Sequence, residues 1–145
     1  MTTILYDIDF YAWSQHQANL LRTEAFEEVD WNNLIEEIEN LSRSEKNEVE
    51  NRLIVLIMHL LKWQYQPELQ SRSWNATINV QRDDLERLLR RSPSLRAWLS
   101  EFITDVYPSA VKRAIAETGL RKATFPIECP YSPEQIMDEE FWPQS

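Results

Sequence analysis

Glycine is almost missing from this chain: Gly119 is the only one in 145 residues. Tight hairpin turns and bulges draw on glycine for left-handed backbone, and none is available before position 119. The same scarcity excludes several enzyme classes. A phosphate-cradling P-loop, a dinucleotide-binding GxGxxG turn and a GxSxG nucleophile elbow each need two or more glycines close together.

Cysteine and histidine are nearly as rare. Cys129 stands alone, so an intrachain disulfide is impossible, and a zinc site built only from Cys129, His16 and His59 has at most three ligands, without the usual paired spacings. A single unpaired thiol fits a reducing compartment, which makes a cytoplasmic location the expectation. The segment from Met1 to Phe10 carries acids where a secretory signal has a basic start and an apolar run. The longest apolar stretch, Leu53 to Leu61, is interrupted by His59 and is too short to span a bilayer, so no membrane partner is expected. Cations are outnumbered too: the net charge is −9, which argues against general binding to phosphate backbones. Only residues 67–100 run the other way, with six basic side chains, all Arg, against four acidic ones.

Aromatics are plentiful: six Trp, five Tyr and five Phe supply bulk for a core. The periodicity is helical throughout. Phe10, Trp13, Leu20 and Leu21 mark a first helix from about Asp9 to Arg22. Asp30 is a good N-cap for a second, whose stripe is Leu34, Ile35, Ile38 and Leu41. Ser42 with Glu45 matches a capping box, which predicts a third helix starting there, the alternative being one long bent helix. Residues 53–63 are apolar nearly all round, the pattern of a buried central helix. Pro67 ends it near Gln66. A fourth helix starts near Ser71 or Ser73, with Trp74, Ile78, Gln81, Leu85 and Leu88 on one face. Ser92-Pro93 predicts the next start. The stripe Leu95, Trp98, Leu99, Phe102, Ile103 and Val106 follows, and Pro108 is expected to kink or break it. Gly119 is placed as a C-cap. The tail after it is Pro-punctuated, with a short helix from Ser132-Pro133 to about Asp138, and its aromatic residues predict docking. The expected fold is all-α: an antiparallel bundle of five to six helices in one domain over 1–145, about 60% helical or more, with a wrapped C-terminal tail over 120–145.

Five segments carry a family likeness: Asp9-Phe10-Tyr11-Ala12-Trp13, Asn33 to Glu39, His59-Leu60-Leu61-Lys62-Trp63, Ser92-Pro93-Ser94-Leu95, and Phe125-Pro126 through Cys129-Pro130-Tyr131. Together with the closing Phe141-Trp142-Pro143, and in this order, they resemble a bacterial family catalogued as domain of unknown function, number 29. The resemblance spans about Tyr6 to Pro143. It implies a small all-helical cytoplasmic bacterial protein. It implies no activity, substrate or catalytic residue.

The residues themselves offer few chemical constellations. Glu36, Glu37 and Glu39 with His59 are the most chemical-looking set, since carboxylates and histidines on facing helices hold metals in some bundles. No Glu-x-x-His or His-Glu-x-x-His spacing accompanies them, and acid runs usually mark a wet helix face. Glu36-x-x-Glu39 with Asp83-x-x-Glu86 imitates the acid pairs of helical pyrophosphatases, a pattern that acidic helices produce by chance. His59 and Lys62 interrupt the most buried helix, where a lone histidine is more often a hydrogen-bonded core residue than a ligand. A polar cluster of Glu37, His59 and Arg82 is expected to fix the packing of three helices, with Glu36, Glu39, Lys62, Trp63 and Trp74 as weaker candidates. No metal and no cofactor is expected. Trp74 among Arg72, Arg82, Arg90 and Arg91 suggests stacking on single-stranded nucleic acid, against a reading in which these arginines pair with acidic helices. The function expected is a non-catalytic helical accessory or regulatory protein that binds another protein, or itself. A metal-dependent hydrolase built on the Glu/His set is the alternative, and nucleic-acid binding through the Arg-rich segment 72–96 comes third.

Overall fold

The computed structural model describes residues 2–145, with side chains from Leu5 onward. The fold is all-α: 79% of the chain is helical and no strand occurs among the described residues. The α-helices are α1 (Thr2–Ile8), α2 (Phe10–Arg22), α3 (Trp31–Tyr65), α4 (Arg72–Arg91), α5 (Leu99–Thr118) and α6 (Pro133–Met137). Short 3-10 turns at Phe26–Glu28, Pro67–Leu69, Pro93–Trp98 and Lys122–Thr124 punctuate them.

Local chemistry sets most boundaries. Asp9 caps α2, its Oδ1 accepting the Ala12 N–H at 2.9 Å, and Ser71 caps α4 through the Trp74 N–H. Ser132 and Gln135 form a reciprocal capping box on α6. Gly119 closes α5 at φ 73°, its N–H donating to the Ile115 carbonyl at 2.8 Å.

Three boundaries correct the sequence reading. No helix starts at Ser42: α3 runs unbroken from Trp31 to Tyr65, because nothing between those residues is a glycine or a proline and the exposed Ser42 tolerates a helix interior. Ser92 does not cap an α-helix by its side chain. Its Oγ donates to Glu45 at 2.8 Å, Pro93–Trp98 forms a 3-10 turn, and α5 begins only at Leu99. Pro108 does not break α5, which continues through it to Thr118. The sequence reading also lacked α1.

The expectation of one domain over 1–145 stands beside a chain that gathers into two compact units, one ending at Ser44 and the other running from Glu45 to Ser145. The first unit is small and centres on Trp13, which is buried with Gln17, Leu20 and Val29. Trp13 packs edge-on against Tyr6, and its Nε1–H donates to the Asp30 carboxylate at 3.0 Å. Gln17 Oε1 accepts the Asp30 N–H at 2.7 Å, so the start of α3 is tied to α2 by polar groups that are themselves satisfied.

The second unit holds the main core. Leu53, Leu56, Ile57, Leu60 and Leu61 of α3 are fully buried, each contributing roughly 1.5–3 kcal/mol relative to exposure. Ile78, Leu85 and Leu89 of α4 and Phe102, Ile103, Val106, Ala110 and Ala114 of α5 surround them. The α4 stripe corrects the sequence reading by one position: Arg82, 1% exposed, stands in line with Ile78 and Leu85, where Gln81 was expected. The tail is docked. Phe125, Tyr131 and Ile136 are buried in the same core. Tyr131 Oη donates to Gln64 Oε1 at 2.7 Å and Tyr107 Oη to the Pro126 carbonyl at 2.8 Å. Burial pushes both phenols well above their ordinary pKa.

Candidate functional site

The expected cluster of Glu37, His59 and Arg82 draws on both units, Glu37 from the one ending at Ser44 and His59 and Arg82 from the other. It required a turn near Ser42 to fold Glu37 back toward His59. No such turn occurs in α3, which runs from Trp31 to Tyr65. Each side chain is occupied locally. Glu37 accepts the Tyr6 hydroxyl and an amide N–H of Asn40, and its hydrogen bond pushes the Tyr6 phenol up to about 12. His59 is half-buried, and its Nδ1 lies 2.9 Å from the Val55 carbonyl. That carbonyl can only accept, so Nδ1 carries the proton. Burial, reinforced by the charge of Lys62, holds the imidazole below its ordinary pKa.

Arg82 does something the sequence gave no sign of. Its guanidinium donates to the main-chain carbonyls of Ile136 (2.8 Å), Gln135 (3.2 Å) and Phe141 (2.9 Å). It also lies 5.5 Å from the centre of the Trp142 ring. This buried arginine is the peg on which the tail hangs.

The weaker candidates divide. Lys62 and Trp74 meet: the buried Lys62 ammonium is 4.6 Å from the centre of the Trp74 ring and donates to Glu117 Oε1 at 2.8 Å. That hydrogen bond holds the Glu117 carboxyl below its ordinary value. Glu117 was missed, because nothing in its local sequence marks a partner 55 positions away. Trp63 packs against Trp142, ring centres 4.6 Å apart. Glu36 and Glu39 are exposed, and Glu36 pairs with Arg43 at 3.3 Å. Among the described residues no group of three or more His, Cys, Asp or Glu side chains converges to hold a metal ion. The Arg-rich segment is partly paired internally: Arg87 with Asp84, Arg91 with Glu45 and Arg96 with Glu86, while Arg72 and Arg90 are exposed with no ion pair among the described residues. The ring of Trp74, the base-stacking candidate, carries Lys62 on its face.

An exposed apolar face stands out in the unit ending at Ser44. The stripe assigned to the core of the second helix is mostly outside: Ile35, Ile38 and Leu41 are 52%, 55% and 68% exposed, with Trp31 above them at 46%. At 100° per residue these side chains and the half-buried Leu34 fall within one arc of α3 about 120° wide. Glu37 and Glu39 border that arc on its two sides. Trp31 is fixed in place by its Nε1–H, which donates to the Phe26 carbonyl at 3.0 Å. The acidity is concentrated here: the unit ending at Ser44 carries two basic and nine acidic side chains, −7 of the chain's −9. Scattered exposed apolar residues are ordinary, but a contiguous patch ringed by polar groups marks an interaction surface.

Comparison with known proteins agrees with the likeness read from the five segments. The model of the family described as "Domain of unknown function DUF29" matches residues 5–142. No curated protein and no solved structure matches the chain.

Proposed function

The chain belongs to the DUF29 family, and we propose that it is a non-catalytic helical adaptor whose acidic N-terminal unit holds a basic amphipathic helix of a partner protein. The observation that carries this reading is the exposed stripe Trp31, Ile35, Ile38 and Leu41 set between acids on α3. Residues 31 to 41 extend about 15 Å, enough to seat nearly three turns of a partner helix. Helix-on-helix recognition of this kind draws its affinity from apolar anchors at i, i+3, i+4 and i+7. A unit whose net charge is −7 favours cationic flanks on the partner and repels nucleic acid. No helix among the described residues is long and apolar enough to cross a membrane. The unpaired Cys129 thiol supports placing the adaptor in the reducing cytoplasm.

The test is a fluorescence-anisotropy titration with a labelled 18-residue Lys/Leu peptide patterned as an amphipathic helix. A scrambled peptide of the same composition serves as comparison. The patterned peptide is expected to bind, with an affinity that falls as salt rises. The double variant Ile38→Glu/Leu41→Glu is expected to weaken it at least tenfold without moving the melting curve, since both positions are exposed. Equal binding of the two peptides, or an unchanged affinity in the double variant, overturns the reading.

A further inference from the structure

A concave groove of about 990 Å³ opens on the unit that begins at Glu45. One wall is the face of α5 from Tyr107 to Ile115; the other is the tail from Lys122 to Ile127. Its volume is that of a small-molecule site, which typically encloses about 300–1,000 Å³ and is apolar with a few placed polar groups. The walls are mostly hydrocarbon. The one hydroxyl among them, that of Tyr107, is already used on the Pro126 carbonyl. The charged groups on the walls are Lys112 and Lys122.

Both lysines lack an ion-pair partner among the described residues. For Lys112 this has a local cause. On α5, the residues three and four positions from Lys112 are Pro108, Ser109, Ile115 and Ala116, so no acid stands within helical reach. Glu128, the nearest acid beyond Lys122, lines an adjoining cavity of about 370 Å³ instead. At the lip of the groove Ile127 is 97% exposed. It is a large apolar side chain in water beside an apolar wall that a ligand would complete.

We infer that this groove binds a small anionic amphiphile, an alkyl chain ending in a carboxylate. The chain lies against Val111, Ile115 and Phe125, and the carboxylate pairs with Lys112 and Lys122. A groove built on about 12 Å of α5 suits a monomeric ligand, whereas insertion into a bilayer uses a convex apolar face.

Isothermal titration with decanoate below its micelle concentration tests this, with octanoate and decan-1-ol as comparisons. Decanoate is expected to bind. Octanoate, two methylenes shorter, is expected to bind at least tenfold more weakly, at about 0.8 kcal/mol or fourfold per buried methylene. Decan-1-ol, which lacks the charge, is expected to be weaker by a similar factor. Lys112→Glu/Lys122→Glu should reduce decanoate affinity at least tenfold. Ala123→Trp, which fills the groove from an exposed position, should abolish binding. Neither change is expected to shift the melting curve of the unliganded protein. The assignment is overturned if decanoate does not bind, if the alcohol binds as tightly as the acid, or if the charge-reversed variant binds like the wild type. Retention by phosphatidylglycerol vesicles with no response to the monomeric acid overturns it as well.

Discussion

Lys62 and Glu117 are 55 residues apart in the chain and 2.8 Å apart in space, joining α3 to α5 through an ammonium that is almost wholly out of water. The pair is asymmetric: the Lys62 side chain is 8% exposed and that of Glu117 is 49%. Removing the acid therefore costs more than removing the base. Glu117→Ala leaves a buried ammonium with only the Trp74 ring for company, and is expected to destabilise by about 1–3 kcal/mol. Lys62→Met replaces the buried charge by packing of similar volume and is expected to be close to neutral. Urea denaturation of both variants checks the order. Acid weakens the pair: Lys62 holds the Glu117 carboxyl below its ordinary 4.5, so its stabilisation is complete above that value and fades as pH falls through the folded one.

His59 gives a second, separable pH effect. Burial holds the folded imidazole below its ordinary 6.5, so on acidification the unfolded chain takes up that proton first. Stability is expected to fall as pH drops from about 6.5 toward the folded value. His59→Gln should remove this part of the pH dependence and leave the Glu117 part. Melting temperatures of both proteins between pH 7.5 and 4 measure the difference.

Arg82 predicts how the tail comes loose. Arg82→Ala deprives three carbonyls of a charged donor and opens a void at a fully buried position. The expected cost is about 3–5 kcal/mol, or on the order of 10 °C in melting temperature for a chain of this size. Limited proteolysis should then cut between Phe125 and Trp142 in the variant and not in the wild type. Arg82→Lys, with one donor group in place of a planar fork, should fall between the two.

Ser42 discriminates between one long helix and two. In the interior of α3, where it is exposed, Ser42→Ala replaces a poor helix former by the best one and should stabilise by a few tenths of a kcal/mol. At an N-cap the same change would destabilise by about 1 kcal/mol. The sign of the shift in urea midpoint decides.

The fold was legible where chemistry is local. Asp9, Ser71, Ser132 and Gly119 announce helix ends because caps act within three or four residues, and the apolar run from Leu53 to Leu61, broken only by His59, announces a buried helix. Ser42-x-x-Glu45 misled because the capping-box spacing is also a common spacing inside an acidic helix; without a glycine or proline beside it, the pattern carries no stop. The candidate cluster inherited that error, since the assumed turn was all that brought Glu37 toward His59. Arg82 and Glu117 were illegible for another reason. Arg82 bonds to carbonyls, which every residue has, and Glu117 finds its lysine across the fold. The apolar stripe from Ile35 to Leu41 was read correctly as a face of a helix. Periodicity says that residues share a face, and is silent on whether anything in the same chain covers it.

Because Arg82 grips main-chain oxygens, its bonds place no demand on which side chains Gln135 and Phe141 carry. The anchor reads the path of the tail rather than its spelling. Substitutions can therefore accumulate at exposed tail positions such as Glu134, Glu139 and Glu140 with the attachment intact. The vocabulary of the tail is restricted where a side chain itself is committed: Phe125, Tyr131 and Ile136 by burial, Trp142 by its packing on Trp63, and Ser132 with Gln135 by the capping box. A tail held this way is free to diversify in sequence while keeping its address on the fold.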